Sequence, residues 1–446
     1  MLKKKLSKLV GIKKEDFDLF IKSGQIQVQP IRLIPTLKTG DEMALVSIFL
    51  SAIKLVKEYR DDILKELKIS RGGVLHFYTE ASFPEIDKSR IDGLIIVVIK
   101  GIIKEATFFE MKNKNNGIDI NQVERYFDLA GKLGVEKLVT ISNEFVSDSS
   151  ISPISIKIPK KISLYHFSWT YLMTLGQLLL FKNEHNIKDA DQVEIMREVL
   201  YYFENPVSGV SGYSQMKAGW KELAENVRAK KPMKITDKFF EDAVLSWHEE
   251  EKDMALLLSR KLGVLVKSSS KGKNSLKEDI SKLAKENVII GSLSVKNSVS
   301  DIKTIVDFER RTVSMSVKLI PPLDKGTVAR ISWVTKQLQN CKKNSEAIFN
   351  KIENNIWIET DFKFTKAYAK VKISELNNLV ELSKGKEIQA FHFVLINGFG
   401  IRFESTKKFV ELTEQMILDY YEGIVQHLSN WNRPAPKITK DSIENI

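Results

Sequence analysis

Two carboxylates and one ammonium group carry the chemistry legible in this sequence: Asp92 in Ile91-Asp92-Gly93, and Glu110 and Lys112 in Glu110-Met111-Lys112. Both stretches border strongly apolar runs, residues 93–99 and 106–111, which read as neighbouring strands. Side chains alternate faces along a strand, so Glu110 and Lys112 project together and Met111 projects to the opposite, buried face. A short Lys100-Gly101 turn makes the two strands antiparallel, with the start of the first beside the end of the second. Gly101 lies midway between Asp92 and Glu110, so both carboxylates and the lysine are expected at one end of one sheet.

Such a set suits phosphodiester hydrolysis, in which a hard divalent cation neutralises the phosphate and lowers the pKa of an attacking water. Magnesium favours carboxylate and carbonyl oxygens. Asp92, Glu110 and the Met111 backbone carbonyl would supply them, and manganese could substitute. Lys112 would then be an electrostatic clamp or a proton handler. The plain alternative is three ordinary strand-end polar residues, since Glu-x-Lys is common. Gln122 and Tyr126 stand four positions apart on a helix expected over about 121–133, hence on one face. Gln122 could hold a phosphate or water, and Tyr126 could contact a nucleic-acid backbone; an ordinary polar residue and a packed aromatic are the alternative.

The elements that must position these groups follow the same reading. Thr39-Gly40-Asp41 opens an apolar-periodic helix from Glu42 to about residue 67. Strands are expected over 74–78, 93–99, 106–111 and 137–142. Helix with Glu42, strand with Asp92, strand with Glu110-Met111-Lys112, then helix with Gln122-Val-Glu-Arg-Tyr126 resembles the PD-(D/E)XK nucleases, and the Gln-x-x-x-Tyr spacing is similar to their RecB-type branch. The resemblance covers residues 38–146. It implies a restriction-endonuclease-like α/β domain, a central mixed sheet flanked by helices. It implies Asp92 and Glu110 as metal ligands, Lys112 as the catalytic lysine, and Gln122 and Tyr126 as residues of the site. The family's first-helix acid falls on Glu42 or Asp41, and Glu80 is a further acidic candidate. Lys114 and Arg125 are added as nucleic-acid contacts. Ile91 stands where the family often has proline, a position that does no chemistry.

The remaining chain divides by composition. Residues 1–37 form a basic extension, 147–162 a Ser- and Pro-containing linker, 163–234 a mostly helical middle region, and 235–446 an α+β domain of unassigned role. Within these, 267–277 reads as a flexible loop and Pro206-Val-Ser-Gly-Val-Ser-Gly212 as a Gly-rich loop without the Gly-Lys-Ser/Thr of a nucleotide-binding P-loop. His166 lies on an apolar strand-like run, Tyr165-His-Phe-Ser-Trp169, and is expected to pack there. His248-Glu-Glu-Glu251 with Asp253 is expected on a solvated helical face. Arg330, Trp333 and Lys336 read as a buried Trp flanked by surface charges.

Sixty-nine Lys and Arg against 57 Asp and Glu give a net charge of +12, which favours polyanionic partners. DNA is the expected one. RNA stays open, because contacts to a 2′-hydroxyl cannot be read from a sequence. So does a non-catalytic binding or scaffold role on the same fold, whose sign would be loss of Asp92, Glu110 or Lys112. One cysteine, Cys341, excludes an internal disulfide and a cysteine-built zinc site. No apolar run reaches membrane-spanning length and no secretory signal is visible, so the expectation is a cytoplasmic protein without a membrane partner. A homo-oligomer or protein partner would use the C-terminal domain. A prokaryotic defence or mobile-element system is the expected setting.

Overall fold

The hairpin that carries Asp92 and Glu110 forms because its two strands are apolar on both faces and joined by two residues that accept positive φ, Lys100 at 51° and Gly101 at 75°. A computed structural model places it at the centre of a six-stranded sheet. Residues 5–431 are described, apart from 36, 37, 39, 115, 147, 148, 151, 182–185 and 269–271, with backbone alone at 272–275. Parts of the expected linker and of the expected 267–277 loop therefore lie outside the described residues. The chain is of mixed α/β class and divides into two units.

The first unit comprises residues 1–215, 245–266 and 270–278. Its elements are α1 (Lys14–Lys22), β1 (Gln27–Pro30), α2 (Glu42–Leu55), α3 (Lys57–Glu66), β2 (Val74–Phe83), β3 (Asp87–Ile99), β4 (Ile102–Met111), α4 (Ile120–Leu133), β5 (Lys137–Ser142), β6 (Ser163–Ser168), α5 (Trp169–Leu180) and α6 (Ala190–Glu204). The strands lie in the order β1-β2-β3-β4-β5-β6. Neighbours from β1 to β4 are antiparallel, and β4-β5-β6 are parallel, so the sheet is mixed. One apolar core, including Phe49, Ile95, Phe109, Met111 and Trp169, packs α2, α3, α5 and α6 on one face. A second, including Phe17, Leu94, Ile96, Phe108, Val123 and Tyr126, packs α1 and α4 on the other. A fully buried Phe contributes about 1.5–3 kcal/mol, so Phe108 and Phe109, on opposite faces just before Glu110, anchor that strand end firmly.

Several boundaries differ from the sequence reading. The sheet extends beyond 38–146 at both edges: β1 lies in the expected extension, and β6 in the expected helical region. β6 is apolar and runs straight into the apolar α5, and composition alone does not separate a short buried strand from a helix. The long first helix is two. Val56 is extended, at φ −101° and ψ 106°, and its side chain is fully buried where α2 ends and α3 begins.

The second unit comprises residues 216–244, 267–269 and 279–446. It holds α7 (Ala218–Arg228), β7 (Lys267–Ser268), β8 (Val288–Ser294), β9 (Ile302–Asp307), β10 (Thr312–Leu319), α10 (Thr327–Asn344), α11 (Glu346–Ile352), β11 (Ile356–Phe362), β12 (Tyr368–Lys372), α12 (Asn378–Leu382), β13 (Ile388–Gly398) and α13 (Thr406–Gly423). Its antiparallel sheet has the order β12-β11-β13-β10-β9-β8-β7. Two helices, α8 (Lys238–Leu262) and α9 (Gly272–Glu286), supply residues to both units; α9 stands where a loop was expected. The units therefore cut across the expected 163–234 and 235–446 boundary.

Two side-chain expectations are overturned. The His248–Asp253 stretch is not a solvated face: Glu250, Glu251, Asp253 and His248 are buried, as are Ser246, Trp247, Met254 and Ala255, and Glu249 and Lys252 are half-buried. On α10 the burial is inverted, with Arg330 buried and Trp333 only half-buried. The Arg330 guanidinium donates to the Pro322, Leu323 and Ile388 carbonyls and pairs with Glu387, which replaces the hydration it gives up. Among the described residues, no helix is long and apolar enough to cross a membrane.

Candidate active site

Strand register assembles the acids. Thr79 pairs with Gly93 and Ala81 with Ile91 across β2 and β3, and Gly93 pairs with Phe109 across β3 and β4. Glu80, Asp92 and Glu110 thus occupy one rung of three adjacent strands. Directly opposed side chains on a sheet share a face. The Met111 N–H donates to Asp92 Oδ2 at 2.9 Å, which ties the start of β3 to the end of β4. Lys112 Nζ lies 2.6 Å from Glu110 Oε1 and 3.6 Å from Glu42 Oε2. Glu42, the first residue of α2, also accepts from Asn116 Nδ2 at 2.8 Å. Of the two acids offered for the first helix, Glu42 reaches the lysine, and Asp41 is exposed. Met111 is buried in the opposite core, as expected.

Glu80 is placed on the rung but held differently. Its backbone is left-handed at φ 53° in mid-strand, a conformation that is strained for a residue with a side chain. Its buried carboxylate pairs with Arg90 at 2.8 Å. Burial raises its pKa, Arg90 opposes the rise, and the Asp92 charge adds to it.

Tyr126, on α4, is buried, and its hydroxyl donates to the Arg90 carbonyl at 2.7 Å while accepting from Gln122 Nε2 at 2.7 Å. Its phenol pKa is raised, chiefly by burial and then by the Glu110 and Asp92 charges, so the hydroxyl keeps its proton. Tyr126 therefore positions β3 from within, and Gln122 is half-buried beside it. Lys114 and Arg125 are exposed and make none of the contacts of the carboxylate pair.

The electrostatics are those of two carboxyl groups sharing a dry corner. Burial pushes the Glu110 carboxyl up to about 8, the neighbouring Asp92 charge adds to this, and Lys112 opposes it. Asp92 is also raised by burial, against the Met111 N–H. Burial pulls Lys112 down, but Glu110, Asp92 and Glu42 outweigh it and hold the ammonium protonated above its ordinary range. The pair therefore retains a proton near neutrality that a divalent cation could displace. These oxygens are hard donors of the kind magnesium prefers. Among the described residues, no three His, Cys, Asp or Glu side chains are gathered closely enough to hold a metal ion. The groups that could hold an ion are the Asp92 and Glu110 carboxylates with the Met111 carbonyl; the Glu80 carboxylate is paired with Arg90, and Glu42 accepts from Asn116.

A brace around Lys112, absent from the sequence reading, completes the site. The Lys112 N–H extends the ladder to Ile141 O at 2.8 Å, and Trp169 Nε1 donates to the Lys112 carbonyl at 2.8 Å. Asn113 Nδ2 donates to the Gly40 and Ser208 carbonyls. The Gly209 carbonyl accepts from the Lys114 N–H and from Asn143 Nδ2, both at 2.8 Å. Gly209 has φ 77°, and a Cβ there would fall 2.5 Å from Lys114 Cγ, so only glycine lets the loop approach this closely. The Gly-rich loop is thus a clasp on the chain leaving β4. A glycine-serine pattern is a weak signal for this, because its partner is far away in sequence. His166 is fully buried between Thr140 Oγ1 and the Glu144 carbonyl, and burial lowers it to about 4. It is the packed, neutral histidine expected. No protein-family model matches the chain, and no curated protein matches it.

Proposed function

We propose that the first unit is a magnesium-dependent nuclease of the PD-(D/E)XK type, with a restriction-endonuclease-like fold, that cuts DNA. The observation that carries this reading is the convergence of Asp92, Glu110 and Lys112 on one corner of the mixed sheet, with Lys112 Nζ 2.6 Å from Glu110. In this reading Asp92 and Glu110, with the Met111 carbonyl, would hold the ion. When bound, magnesium or manganese supplies charge neutralisation and an acidified water for attack on phosphorus. Lys112, kept protonated by its carboxylates, offers N–H donors to the charge that builds on the phosphate oxygens as one P–O bond forms and another breaks. Gln122 orients the strand's phosphate, and Tyr126 keeps Arg90 and Asp92 in register from below. The +12 charge of the whole chain draws the polyanion in.

The test is digestion of linear and circular DNA, with RNA alongside, in magnesium and in EDTA, with Asp92→Ala as the control. DNA cutting that needs magnesium and Asp92 is expected. Cutting that is equal in EDTA, or equal in the Asp92→Ala protein, would overturn the reading.

A further inference from the structure

The break between α2 and α3 has a second result, on the α2/α3 face of the sheet and away from the carboxylate rung. It turns Lys54, Lys57 and Arg60 around the mouth of a cleft of about 490 Å³, which Arg71 closes from the chain leading into β2. That volume falls in the range of small-ligand sites, about 300–1,000 Å³. Half-buried Leu75 is the apolar residue that faces the hollow, above the buried Leu64 and Phe77, and Asp61 is the acidic residue of the lining. Among the described residues, no carboxylate lies within ion-pair distance of any of the four cations. Four cations against the one carboxylate of Asp61 leave the hollow with an excess of positive charge, which attracts an anion. Arg60 is tethered at the cleft, since its Nη1 donates to the Lys54 carbonyl at 2.9 Å, which leaves its other N–H groups for an anion. Phe77 sits three residues before Glu80 on β2. At about 3.3 Å per residue this puts the cleft roughly 10 Å or more from the acids.

We propose that this cleft binds a nucleotide, its phosphate held by Arg60, Arg71, Lys54 and Lys57 and its base against Leu75. The cations supply charge-assisted and forked hydrogen bonds to a phosphate, and Leu75 supplies the apolar contact that a simple anion would not use. Free nucleotide and the 5′-phosphorylated end of a strand share this chemistry. The site stands on its own, whatever the acids on the sheet do.

The experiment is calorimetric titration of the full chain with adenosine monophosphate, adenosine and inorganic phosphate. Adenosine monophosphate should bind, with adenosine and phosphate each weaker by about tenfold or more, the loss expected for one charge-assisted contact. The double variant Arg60→Ala/Arg71→Ala should lose about tenfold or more in affinity while melting, without ligand, at the wild-type temperature. Asp92→Asn should leave nucleotide binding unchanged. A 5′-phosphorylated oligonucleotide that competes with adenosine monophosphate and depends on the same arginines would identify a strand end as the source. Equal affinity in wild type and double variant, or no binding of adenosine monophosphate, would overturn the proposal.

Discussion

The Met111 N–H donates to the Asp92 carboxylate across two strands, so one side chain both closes a hairpin and belongs to the acidic pair. Structure and chemistry can be separated there. Asn at position 92 keeps an acceptor oxygen but loses the charge. Asp92→Asn should therefore melt within a few degrees of wild type, yet cut DNA about a thousandfold more slowly or less, the order seen when a charge-stabilising group is removed. Calorimetry beside a cleavage assay checks both halves, and normal cutting would remove Asp92 from the site.

Glu110 makes the apo protein pH-sensitive in a defined direction. Its folded pKa, about 8, exceeds its ordinary 4.5, so between these values the folded state holds more protons than the unfolded one. Its contribution to stability is complete below about pH 4.5 and is lost as pH rises to about 8, by at most about 1.4 kcal/mol per pH unit for one proton. Denaturant titration across that window should show the decline without metal, and Glu110→Gln should flatten it. Added magnesium should reverse the slope, because metal displaces the proton. A wild-type profile as flat as that of Glu110→Gln would contradict the buried pair.

Lys112 offsets the raised pKa of Glu110, so Lys112→Ala should push the acid pair higher still. Magnesium should then bind only at higher pH, and cutting should stay near background at neutral pH. Magnesium titration by calorimetry at several pH values reads this directly. An unchanged pH dependence of metal binding would show that the lysine does not act on the acids.

Trp169 holds the Lys112 carbonyl, at 2.8 Å from its indole nitrogen. Trp169→Phe keeps most of the packing and strands that carbonyl, so a loss of about 1–3 kcal/mol is expected. Cutting should fall without vanishing, and magnesium affinity should hold, because neither acid loses a contact. Full activity with unchanged melting would remove the tryptophan from the brace.

How far these features were legible depends on which forces write themselves into sequence. β3 and β4 were plain because both faces of the hairpin are buried, which demands continuous apolar runs, and because Lys100-Gly101 is a turn. Glu110 and Lys112 could be set side by side from strand alternation alone. The ends of strands were less plain. Asp87 to Arg90 extend β3 with polar residues outside the expected strand over 93–99. β6 showed only as the strand-like run around His166, and its apolar continuation into α5 left the region reading as mostly helical. The left-handed Glu80 and the burial of Glu250 and Arg330 had no local signal, since each depends on neighbours supplied from elsewhere in the chain. The clasp of Gly209 on Lys114 joins segments nearly a hundred positions apart, beyond any periodicity.

That clasp, with β6, means the chemistry is not a portable cassette. Residues 38–146 contain every acid and the lysine, yet cutting the chain there would strip the outer parallel strand from β5. It would also take away Trp169 and Ser208, and with them the groups that hold Lys112 and Asn113. A shuffled or transplanted version of this domain would need to carry the chain through to Ser211, whose N–H meets Asn143 at 3.0 Å. The unit that can be inherited intact is therefore larger than the one that holds the reactive groups.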